Sequence, residues 1–99
     1  MRAVELKDLE AGQSFLGVVV ENGVYNPETL TVKKYKNIDL YDSKGNKVPL
    51  FNVLGCIKGH DIYGALVREV YVFDDMHSCI KICEFENDIT DSINEENLY

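Results

Sequence analysis

Apolar and polar positions alternate through much of the chain, and the exceptions are short apolar runs. "SFLGVVVE", residues 14 to 21, is rich in β-branched residues and bounded by "ENG". It predicts a strand covered on both faces, with Gly17 at a bend or bulge. After the "NPET" turn, "TLTVKKY" sends Leu30 and Val32 one way and Thr29, Thr31 and Lys33 the other. "NIDLYD" repeats the alternation, with Ile38 and Leu40 inward and Asp39 and Tyr41 outward. The glycine of "DSKGNK" suits a hairpin turn. "VPLFNVLG" follows as the partner strand, placed on an edge because Pro49 has no N–H to give a ladder.

Residues 62 to 73, "IYGALVREVYVF", fit two periods. Ile62, Leu66, Val70 and Phe73 make a helical stripe, but the density of β-branched and aromatic residues in "VREVYVF" favours a strand. "DDMHS" reads as a turn in which Asp74 and Asp75 cap or hydrate the backbone, and "CIKICEF" alternates as the last strand. At the start, "VELKDLEAGQ" reads as a single helical turn or a loop. The expected fold is mainly β: a small five-stranded barrel, closed or nearly so, with at most one or two short helices. Residues 1–86 would form one barrel domain and residues 87–99 an acidic tail, mobile or in a short helix.

Composition changes this picture little until charge is located. The chain has 99 residues and a formal net charge of -7, enough for one small core. Residues 84–99 hold six acids, Glu84, Glu86, Asp88, Asp91, Glu95 and Glu96, and no base. The body is therefore nearly neutral, and within it Lys33, Lys34, Lys36, Lys44 and Lys47 concentrate against only Asp39 and Asp42. No run approaches the roughly 20 apolar residues of a membrane span. The N-terminus mixes acids among its apolar residues, unlike a secretory signal, and the odd cysteine count suits a reducing compartment. A cytoplasmic protein, monomeric or dimeric and without a membrane partner, is the expectation.

Candidate chemistry is sparse. On a strand Cys79 and Cys83 would share a face but sit roughly 13 Å apart, too far to hold one zinc. On a helix that spacing would serve, with Cys56, His60 and His77 completing a site. His77 and Cys79 would share a strand face, yet no orienting group or oxyanion site accompanies them. There is no Gly-rich phosphate loop. The reading is a protein that is not an enzyme, with no cofactor and no metal, its cysteines serving as core atoms.

Residues 31 to 47 carry a binding hypothesis instead. Lysines 33, 34, 36, 44 and 47 would attract phosphates while Tyr35 and Tyr41 stack on unpaired bases. A plain solvated sheet face, with lysines guarding an edge, is the competing reading. An unbroken strand would turn Lys34 and Lys36 inward, so a bulge or loop is required near residues 34 to 37. "LEAGQSFLGVVVE", followed by a strand ending in "NIDLYDSKGNKVPL", resembles the opening of the oligonucleotide/oligosaccharide-binding fold, the OB-fold. That resemblance, over residues 14 to 85, implies a ligand face on the second and third strands. Tyr35, Asp39, Tyr41 and Phe51 would lie on or near it, with Lys33, Lys44 and Lys47 around the rim. The helix often found between the third and fourth strands of that family has room only within residues 56 to 66. Single-strand-binding proteins of this kind often end in an acidic segment tipped with a hydrophobic residue, and "NEENLY" is similar.

A second class of function uses the acids. Glu84, Glu86, Asp88, Asp91, Glu95 and Glu96 could imitate phosphates and occupy a basic groove on a protein target, in the manner of phage anti-defence or toxin-immunity inhibitors. The expected partner is single-stranded nucleic acid or such a basic protein.

Overall fold

The two-residue turn at Asn22 and Gly23 has φ of 52° and 77°. Positive φ at both positions is the geometry that lets a tight hairpin follow the strand twist. It folds strand β2, Ser14–Glu21, onto β3, Val24–Lys34, in register from Ser14 opposite Thr31 to Glu21 opposite Val24. The computed structural model describes residues 1–97, with side chains as far as residue 90. In chain order the other elements are β1 (Arg2–Glu5), a 3-10 turn (Leu6–Asp8), β4 (Ile38–Tyr41), β5 (Lys47–Val48), a second 3-10 turn (Leu50–Asn52), β6 (Gly55–His60), β7 (Leu66–Val72) and α1 (Met76–Asn97).

The strands form two antiparallel sheets, β2-β3-β4-β5 and β1-β7-β6. Isolated bridges from Leu16 to Phe73 and from Val19 to Val53 join them. Backbone bonds from Phe73 N–H to the Leu16 carbonyl (2.9 Å) and from Leu54 N–H to the Val18 carbonyl (2.8 Å) continue the junction. The described pairings do not close into a ring. Alternation explains what lies between the sheets: Phe15, Leu30, Val32, Leu40 and Val48 from one sheet meet Val70 and Val72 from the other, with Leu9 and Val53. Leu30, Val32, Leu40 and Val70 are fully buried.

A second cluster lies on the opposite face of β2, where Val18 packs under Cys79 and Cys83 of α1 beside Phe73. Here the expectation of a final strand over "CIKICEF" is corrected: those residues are helical. Residues four apart share a face on a helix and also on a strand, so the two cysteines fit both periods. The structure continues the face through half-buried Ile82, Glu86, Asn87 and Thr90, a spacing only a helix makes. Asp75 starts the helix. Its Oδ1 accepts the Ser78 N–H (2.8 Å) and its Oδ2 the Ser78 hydroxyl (3.0 Å), bonds that hold its carboxyl below the usual carboxylate range. The Asn87 amide then grips the free edge of β3, Oδ1 accepting Tyr25 N–H (2.8 Å) and Nδ2 donating to the Tyr25 carbonyl (3.0 Å). One residue pair beyond, Pro27 offers that edge no donor, which blunts it against further pairing.

Three further expectations change. Among the described residues seven strands replace the expected five: residues 2–5 pair with β7, residues 55–60, where the helix of the resembled family would have had room, form β6, and "NPET", expected as a turn, lies within β3 with Asn26–Thr29 paired to Val19 through Leu16. "VPLFNVLG" is not one strand: Pro49 ends β5 after two residues and leads into the 3-10 turn. At 22 residues α1 exceeds the short helices expected, and it runs unbroken across residues 86 and 87, where the tail was placed. Residues 66–72 are strand, as the β-branched density predicts.

Candidate nucleic-acid interface

The registers that bury Val32 against Leu40 and Leu40 against Val48 turn their neighbours to the outer face of the sheet. Thr31, Tyr41 and Lys47 lie abreast there, next to Lys33 opposite Asp39. Lys33 Nζ sits 4.2 Å from the centroid of the Tyr41 ring, a cation on an aromatic face. Lys47 Nζ pairs with Asp39 Oδ1 at 3.3 Å. β3 ends at Lys34 and β4 begins at Ile38, so residues 35–37 make the break that parity required. Tyr35 stands 93% exposed on that turn, with exposed Lys36 beside it. Lys34 retains inward parity and reaches across the open end of the sheets, its Nζ donating to the Lys7 carbonyl at 3.1 Å.

Lys44 is elsewhere. It belongs to the hairpin between β4 and β5, where Asp42 Oδ1 accepts the N–H groups of Lys44 (2.9 Å) and Asn46 (2.8 Å) and Gly45 takes a φ of 83°. With Lys47 it borders a cleft of about 570 Å³ that also holds Glu21, Glu28 and Asp42, so charge there is mixed. Five lysines close in sequence thus divide into a turn group (Lys33, Lys34, Lys36) and a hairpin group (Lys44, Lys47).

On α1, Glu84 and Asp88 are exposed and Glu86 is half-buried, while the side chains of Asp91, Glu95 and Glu96 lie outside the described residues. Among the described residues the ion pairs are Lys7 with Glu5, Lys47 with Asp39 and Lys58 with Glu69, so no lysine of either group pairs with Glu84, Glu86 or Asp88.

The helix overturns the separation argument about the thiols, since it sets Cys79 and Cys83 one turn apart. Their surroundings decide their character. Cys79 is fully buried and its Sγ donates to the Gly17 carbonyl at 3.4 Å. Burial, followed by the nearby Cys83, pushes its thiol up to about 11, and burial raises Cys83 as well. Both are inert core atoms at neutral pH. His77 and Cys79 do not share a face, being two residues apart on a helix. Among the described residues no group of three or more His, Cys, Asp and Glu side chains is placed to hold a metal ion. No described helix is long and apolar enough to cross a membrane.

Periodicity gives no sign of a groove of about 210 Å³ beside the Tyr35 turn, lined by Glu5, Lys7, Ile38, Asp61, Leu66 and Arg68 among others. Arg68 has the parity of Val70 and Val72, which places a guanidinium on the inward face. Its Nη2 donates to the Val53 carbonyl at 2.7 Å and its Cζ lies 5.6 Å from the Phe51 ring centroid. Among the described residues it has no carboxylate partner, and its buried Nε has no hydrogen-bond acceptor. At the tip of the β6–β7 hairpin Ile62 is 91% and Tyr63 88% exposed. Asp61 Oδ1 fixes that tip by accepting the N–H groups of Tyr63 (2.8 Å) and Ala65 (2.9 Å). Both features had a signal in the sequence: a charge at an inward strand position, and two large apolar residues inside the turn "DIYG".

Comparison with protein-family models, curated proteins and solved structures finds no match to this chain.

Proposed function

We propose that this chain is a non-enzymatic, OB-like binding protein that takes single-stranded nucleic acid along the outer face of β3 and β4 and the turn between them. The observation that supports this reading is Tyr35, 93% exposed, with Lys34 before it, Lys36 after it and the Lys33–Tyr41 stack alongside. An aromatic ring held in water among cations offers a base a stacking partner and its phosphates a counter-charge. Three free thiols fit work in a reducing compartment such as the cytoplasm.

The test is fluorescence anisotropy of a labelled oligothymidylate over a range of salt. Lys33→Gln and Lys36→Gln should each reduce the slope of log K against log salt by about 0.7. Tyr35→Ala should cost about 1–3 kcal/mol of binding. Absence of binding by the intact chain at low salt would sink the proposal. Because Asn87 ties α1 to β3, the acidic helix is better tested by substitution than by truncation.

A second reading rests on Glu84 and Asp88, exposed on α1 and unpaired with lysine among the described residues. In it, the helix acids occupy the basic cleft of a nucleic-acid enzyme. Inhibition of a nuclease by the intact chain, lost in Glu84→Gln/Asp88→Gln, would favour this second reading.

A further inference from the structure

We infer that the bound strand crosses the groove between the β3–β4 turn and the β6–β7 hairpin, with Arg68 receiving a phosphate in its wall and Tyr63 stacking on a base across from Tyr35. This rests on the nucleic-acid reading and extends it to residues distant in sequence.

Three independent features converge at this end of the molecule. The first is a cation without an anion. A half-buried guanidinium is costly to keep out of water unless it is paired, yet Arg68 holds only a carbonyl and an aromatic ring and keeps one N–H unsatisfied. A phosphate would supply the missing counter-charge, and guanidinium matches phosphate in shape. The second is ring exposure on two banks. Ile38, which lines the groove, follows the Tyr35 turn directly, and Asp61, also in the lining, opens the turn that carries Tyr63. The third is the disposition of charge. Lys7 lines the groove, and Lys34 reaches its carbonyl from the opposite side. The acids nearby are already engaged, Glu5 with Lys7 at 3.2 Å and Asp61 with two backbone N–H groups. With Glu5 and Asp61 against Lys7 and Arg68 the lining is balanced in formal charge, and Arg68 is its cation without a carboxylate partner among the described residues, so an anion seated there meets a free guanidinium with an exposed ring on either side.

Anisotropy of the labelled oligothymidylate with the full chain tests this. Tyr63→Ala should weaken binding roughly 5- to 150-fold, the span expected for loss of one stacked base, and Tyr63→Phe should preserve affinity. At 88% exposure Tyr63 carries no core packing, so folding is not at issue. Arg68→Gln should reduce the salt slope by about 0.7, and Arg68→Lys should keep the slope but lose affinity, with thermal midpoints measured alongside. Unchanged affinity in Tyr63→Ala, with loss in Tyr35→Ala, overturns the inference and leaves the broader proposal standing. An intact chain that binds no oligonucleotide overturns both. Binding of phosphatidylglycerol vesicles through Tyr63, without oligonucleotide binding, assigns the hairpin tip to a membrane surface and likewise overturns it.

Discussion

A methyl group on residue 55 would force β6 away from β7. A Cβ built on Gly55 falls 2.0 Å from the Glu69 carbonyl oxygen and 3.0 Å from Val70 Cα, all backbone atoms that no rotamer change can move. Ordinary carbon-to-oxygen contact begins at about 3.3 Å, so the strands must part by roughly 1 Å. That displacement would strain the pairing of Gly55 with Val70 and the bond from Tyr71 N–H to the Leu54 carbonyl at 3.0 Å. Overpacking costs about 1–3 kcal/mol and a lost backbone bond about 1 kcal/mol more, so Gly55→Ala should cost roughly 3 kcal/mol. With a urea m-value of about 1–3 kcal/mol/M, the midpoint should drop by roughly 1–3 M. Gly17→Ala is the control. Its Cβ meets only side-chain carbons, Leu30 Cδ1 and Phe15 Cε2, both at 3.2 Å, which can yield. It should cost less than about 1.5 kcal/mol. Equal midpoints for the two variants, or a Gly55→Ala midpoint indistinguishable from the parent, would refute the close-approach argument. Oligonucleotide affinity should also fall in Gly55→Ala, because the displaced hairpin carries Tyr63 and Arg68.

Other outcomes follow from the contacts of α1 and the core. Asn87→Leu leaves the Tyr25 N–H and carbonyl without their partners and should cost about 1–3 kcal/mol, with faster hydrogen exchange at the Tyr25 amide. Cys79, with an ordinary value of 9.0 raised to about 11, favours the folded state while it is a neutral thiol. That contribution is complete below the unfolded value and is lost as pH rises through the folded one. The urea midpoint should therefore fall between about pH 9 and 11, and Cys79→Ala should flatten that limb; an unchanged limb would refute the assignment. Leu40→Ala, at a fully buried position, should cost about 2.7–5 kcal/mol by urea unfolding.

Alternation alone placed β4 and the second half of β3, because one buried and one wet face impose a period of two on Leu30, Val32, Ile38 and Leu40, while Pro27 suggested a turn where the chain in fact continues β3 along a free edge. The same parity demanded the break at residues 35–37, since lysines cannot continue an inward row. "DSKGNK" declared its hairpin through one glycine, whereas "DDMHS", expected as a turn before a strand, holds the first residues of α1 with Asp75 capping them. The final strand failed because a seven-residue window holding two cysteines four apart cannot separate the two periods. Only the half-buried positions Ile82, Glu86, Asn87 and Thr90 do so, with Asn87 bonded to β3. The missing N–H of Pro49 marks an edge in the sequence, and in the structure it also ends β5 after two residues.

The sequence by itself determined a mainly β chain with one acidic end and a lysine-rich turn, because periodicity and charge are local properties. The tertiary structure decided which of those residues meet. Lys33 and Lys36 are legible as a group, but Ile38, beside their turn, lines one groove with Asp61, Leu66 and Arg68 only because β7 returns beside β1 and carries the β6–β7 hairpin with it. That adjacency is set by strand pairing between residues far apart along the chain, and no local pattern records it.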